Sequence, residues 1–71
     1  MNPTSNTLPA WWVSARVWTA DGRSFDGGTL RIHAVDELAA SHIYRIIVGR
    51  WLTREQIHYQ GIHEILLCVP A

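Results

Sequence analysis

The sequence predicts an α+β domain: a small three-stranded, mainly antiparallel sheet of order 2-1-3, made of a β-hairpin, a helix and a final strand, packed on one main helix. Three observations carry this. Residues 11–20 alternate with period two and run straight into Asp21-Gly22; residues 36–48 have helical periodicity behind a capping aspartate; residues 62–69 are almost wholly apolar and stop at Pro70.

A chain of 71 residues holds one hydrophobic core, so a single domain is expected over residues 11–71, preceded by a flexible arm over residues 1–10. The arm, MNPTSNTLPA, has two prolines among Asn, Thr and Ser, a composition that builds neither helix nor packed strand.

In the first strand Trp11, Val13, Ala15 and Val17 point one way and Trp12, Ser14, Arg16 and Trp18 the other. Asp21-Gly22 supplies the positive φ angles of a two-residue type I′ turn, which pairs Ala20 with Arg23. Val13 then faces Leu30, Trp11 faces Ile32 and Trp12 faces Arg31; nearer the turn, Trp18 meets Phe25 and Val17 meets Asp26, the one mismatch. Gly27-Gly28 marks a bulge or a close backbone approach, so the pairing between it and the turn stays open.

Asp36 is placed to cap the helix, with Glu37 favourable at the positive end of its dipole. At 100° per residue Ala39, Ile43, Ile46 and Ile47 share the face expected to cover the sheet, with Tyr44, Val48 and Trp51 to one side of it. Gly49 is a natural stop in the left-handed conformation, with Leu52 as the alternative end. Thr53-Arg54-Glu55-Gln56 has the form of a capping box, which reads as a short second helix over residues 53–60 closed by Gly61, or else as a loop. In the last strand Ile65, Leu67 and Val69 are expected on one face, with Ile62 and Leu66 on or near the other.

Charge and composition bound the function. Six arginines balance six acidic residues, so no net field draws the chain to nucleic acid or to an anionic membrane, and direct nucleic-acid binding is the less expected partner class. The start of the chain has no basic segment with an apolar run, and no stretch reaches the ~18 consecutive apolar residues of a membrane span. With Cys68 the only cysteine, a cytoplasmic location is expected. An apolar content of 48% with four tryptophans favours burying surface against a partner or a second copy, a homodimer.

The residues that could carry chemistry do not cluster. His33, His42, His58 and His63 match no metal-ligand spacing, and Cys68 lacks a local base, so no metal, cofactor or catalysis is expected. The glycines of DGRSFDGG lead into strand rather than a helix N-terminus, which excludes a phosphate loop. What remains is the second face of the hairpin: Trp12, Arg16, Trp18, Phe25 and Arg31, with His33 as an outlying member. Tryptophan and arginine dominate binding hot spots, because a flat ring buries much area at small entropic cost and a guanidinium stacks or pairs in a fixed plane. In the competing reading the arm or residues 53–60 fold back over this face and make it a second small core.

In its length, lone domain, hairpin, helix and final strand the chain resembles the small phage-encoded inhibitors of bacterial defence, the anti-CRISPR proteins among them. The resemblance is one of size and topology and carries no residue with it. It implies a non-catalytic inhibitor in the host bacterial cytoplasm that docks on a protein or nucleoprotein complex, such as a CRISPR effector, and blocks target DNA or nuclease recruitment. Many such inhibitors are acidic and imitate DNA; this chain is neutral, so its inhibition would be steric. The competing class is a small dimeric nucleic-acid-binding regulator or antitoxin, which needs Arg16, Arg31, Arg45, Arg50 and Arg54 to converge into one basic stripe.

Overall fold

The structure, a computed structural model, describes residues 8–71, His63 by its backbone only. Its elements are β1 (Ala10–Thr19), β2 (Ser24–Asp26), β3 (Leu30–His33), α1 (Glu37–Arg54) and β4 (Tyr59–Pro70). β1 lies in the middle, with β2 and β3 along one side and β4 along the other, every pairing antiparallel. The order 2-1-3 therefore holds, with the second predicted strand split into β2 and β3. Of the expected arm, residues 1–7 lie outside the described residues; Ala10 already belongs to β1, and the Pro9 carbonyl accepts from the Ala34 N–H at 3.0 Å.

Two irregularities that offset one another set the hairpin. The turn has three residues between Thr19 and Arg23, not two: the Thr19 N–H donates to the Arg23 carbonyl at 2.8 Å and Gly22, at φ 89°, donates to Thr19 at 3.1 Å. Next to the turn the register is consequently one residue off the expected one, with Val17 opposite Phe25, Trp18 opposite Ser24 and Arg16 opposite Asp26. The bulge at Gly28, φ 95°, restores it, so that Val13 faces Leu30, Trp12 faces Arg31 and Trp11 faces Ile32 as the sequence indicates. In the turn, the Thr19 hydroxyl donates to the Asp21 carboxylate, which with the Arg23 N–H holds that carboxyl below its ordinary pKa.

The helix is a single element. Asp36 caps it, its carboxylate accepting from the Ala39 N–H at 2.8 Å. It does not stop at Gly49, and no second helix follows: it runs to Arg54, and the Thr53 hydroxyl bonds back to the Gly49 carbonyl at 3.0 Å instead of capping. The end is a Schellman motif with Gln56 in the left-handed position (φ 60°), its N–H on the Thr53 carbonyl at 3.1 Å and the Ile57 N–H on the Leu52 carbonyl at 2.9 Å. Gly49 lies buried inside the helix instead, with the Tyr59 hydroxyl 2.9 Å from where its Cβ would stand.

The face that α1 buries is Ala40, Ser41, Tyr44, Val48, Gly49 and Leu52; Ile46 and Ile47, expected on that face, are exposed. Apolar residues surround this helix almost completely, so their period selects no side. Close approach does. Tyr44 is fully buried, and its hydroxyl accepts from the Ala15 N–H at 3.2 Å and donates to the Gly28 carbonyl at 2.6 Å. The bulge takes Ala15 and Gly28 out of the regular ladder, and the phenol supplies the bonds they lose. Burial pushes the Tyr44 pKa above its ordinary value.

β4 bends its alternation. Ser14 pairs with Leu67 but Ala15 with Ile65, leaving Leu66 as an extra residue. Ile65 and Cys68 thus pack toward the helix, while Leu67 and Val69 point to the other side; Ile65, Leu67 and Val69 do not share a face as expected. The resulting core is Val13, Ala15, Val17 and Ile32 of the sheet against Tyr44, Val48 and Leu52 of the helix.

Candidate functional site

One face of the sheet lies under α1. Among the described residues no element covers the other, and the registers place its side chains in rows across three strands. Arg31, Trp12 and Val69 form the first row; Ser14 and Leu67 the second; Asp26, Arg16 and Glu64 the third; Ser24, Trp18 and Gly61 the last. Trp12 and Val69 are each 41% exposed, and Trp18 and Leu67 each 38%. The face is therefore apolar at one end, charged across the middle and aromatic at the far end.

Four of the five expected binding residues, Trp12, Arg16, Trp18 and Arg31, come together here. Phe25 does not: the third turn residue sets it opposite Val17, on the helix side, where it packs partly buried against the core. His33 stands opposite Ala10 at the margin, its Nδ1 3.1 Å from the Leu8 carbonyl. Leu67 and Val69 belong to the face although the sequence pattern grouped them with Ile65. The period-two signal could not show the extra residue at Leu66.

Arg16 is the centre of the polar row. Its Nη1 donates to the Ser24 hydroxyl at 3.1 Å, and its Nε lies 3.5 Å from Glu64 Oε1. Both charged side chains are well exposed, so the ion pair is worth at most about 1 kcal/mol to the fold. Its effect is geometric: bonds to Ser24 on one side and Glu64 on the other hold the guanidinium across neighbouring strands, between Trp12 and Trp18. Arg31, opposite Trp12, is the exposed cation of the apolar end.

The arginines do not converge as a basic stripe requires. Arg16 and Arg31 lie on the open face, whereas Arg45, Arg50 and Arg54 belong to the helix on the other side, Arg45 with its Nε donating to the Ile62 carbonyl at 2.7 Å. On that side a hollow of about 360 Å³ is framed by Gly27, Leu30, Ile47, Val48, Trp51 and Arg54. Among the described residues no three His, Cys, Asp or Glu side chains gather where a metal could be held, and no helix is long and apolar enough to cross a membrane. Cys68 is half-buried, its thiol 3.8 Å from the Ser41 hydroxyl. The chain matches no protein-family model, no curated protein and no solved structure.

Proposed function

We propose that this chain is a non-catalytic protein-binding domain that works as a small phage or mobile-element inhibitor, sterically blocking a bacterial defence complex such as a CRISPR-Cas effector. The observation that carries the reading is the open sheet face, where Trp12, Trp18, Leu67 and Val69 stay two-fifths exposed beside Arg16 and Arg31. Aromatic and arginine anchors in a patch that can be fully desolvated are what a protein partner rewards most. The neutral charge supports occupation of a protein surface over imitation of DNA.

The test mixes purified chain with reconstituted CRISPR effector complexes and reads both its own binding and the loading of target DNA. Expected are capture of the chain by an effector, loss of target binding or cleavage, and loss of both effects in Trp12→Ala or Trp18→Ala. Affinity for the effector should change little with salt, since screening acts mainly on exposed charges. A regulator held on nucleic acid by about five arginine–phosphate contacts would instead follow a slope of about −3.5 to −4.5 in log salt, more than a hundredfold between about 50 and 200 mM. That slope, or tight binding to naked DNA or RNA, overturns the proposal.

A further inference from the structure

We propose that the outer edge of β4 pairs with the same edge of a second copy of this chain, antiparallel about a two-fold axis at Cys68, joining the two four-stranded sheets into one. β4 is 12 residues long, about 40 Å at ~3.4 Å per residue, and pairs only with β1. Its other edge meets no strand among the described residues.

The two edges of this sheet are built differently. The β2/β3 edge is cut into strands of three and four residues by the glycine bulge, and the Asp26 carboxylate folds back onto the Gly28 N–H at 2.8 Å; such short, kinked, charged edges discourage pairing. β4 is irregular only in its first part, where the register shifts fall and the Arg45 side chain occupies the Ile62 carbonyl. From Leu67 to Pro70 it is regular, uncharged, free of lysine and without an interior proline, and Leu66, Leu67 and Val69 are about two-fifths exposed. A natural monomer rarely leaves such an edge unguarded.

Hydrogen-bond parity selects the register. The Ala71 N–H donates to the Ala10 carbonyl at 2.8 Å, so by alternation along the regular stretch the N–H groups of Val69 and Leu67 turn to β1 and that of Cys68 turns outward. An axis at Cys68 lets the two Cys68 residues exchange both bonds and sets Leu66 beside the other copy's Pro70. Pro70 has no N–H to leave unpaired in that arrangement. It also sets Leu67 opposite Val69 of the second copy on the open face, with no charge between them.

The pairing goes beyond the proposed inhibitor role and is tested without any host protein. Sedimentation of the full chain should give a species of twice 8.1 kDa that dissociates on dilution, and Leu66→Lys should give a folded monomer with an unchanged circular-dichroism spectrum. In a Cys68→Ala background, mild oxidation of Leu67→Cys mixed with Val69→Cys should yield a disulfide-linked dimer many-fold faster than either variant alone. This second measurement reads the register even where Leu66→Lys fails to fold. A mass of 8.1 kDa up to millimolar concentration overturns the proposal, as does a dimer whose cross-linking ignores the 67/69 register.

Discussion

From Trp12 to Trp18 the two faces of β1 divide its side chains by size in an unexpected sense. Under the helix sit Val13, Ala15 and Val17, all fully buried, with Trp11 partly buried against the core at the start of the strand, while Trp12 and Trp18 stand on the side that no described element covers. A fold short of core would be expected to bury its largest rings. Here the covered face is kept small because the helix comes close enough for one phenol to reach the strand backbone, and Gly27 would put a Cβ 2.7 Å from that hydroxyl. The tryptophans of the open face are therefore surplus to the core.

Substitutions can sharpen or break that distinction. The largest effect is expected from Leu52→Ala, which empties a fully buried site between helix and sheet and should cost about 2–5 kcal/mol in urea unfolding. Tyr44→Phe comes next, at about 1–3 kcal/mol, because it leaves the Ala15 N–H and the Gly28 carbonyl without their partner in a dry place. It should also change the alkaline limb of stability. Burial raises the Tyr44 pKa above 10.0, so the folded protein keeps a proton that the unfolded chain gives up. Its contribution is whole below pH 10.0 and is lost as pH rises through the folded value, a loss that Tyr44→Phe removes. The smallest effects belong to the open face: Arg16→Ala and Trp12→Ala should each change unfolding by less than about 1 kcal/mol while weakening partner binding. If Trp12→Ala destabilised the monomer as much as Leu52→Ala, both faces would be core and the binding surface would have to be abandoned.

Much of this architecture was legible in the residues. Period-two alternation places Trp12, Arg16 and Trp18 on one side of β1, and Asp36 marks the helix start, because both signals are local. What escaped depends on a single residue more or less. A third residue in the turn moved Phe25 to the covered face, and the extra Leu66 moved Leu67 and Val69 to the open one. The helix end escaped because Gln56, not a glycine, takes the left-handed position, while Gly49 lies buried within the helix. The buried face of α1 escaped because a helix apolar on nearly every side leaves its orientation to the shape of the surface beneath it.

The paired irregularities of the hairpin determine where evolution or an engineer can change the length of this chain. Removing one residue between Thr19 and Arg23 would tighten the loop to the two-residue form that Asp-Gly already favours, and no side chain of β2 or β3 would change face. Removing Gly28 would also preserve every pairing, but it would take from the Tyr44 hydroxyl the carbonyl to which it donates. Within residues 24–26 the same deletion turns strand residues over, exchanging Phe25 for a polar neighbour under the helix. Insertions and deletions between homologues of this chain should therefore accumulate at the turn, be scarce at the bulge, and be absent from the three residues of β2.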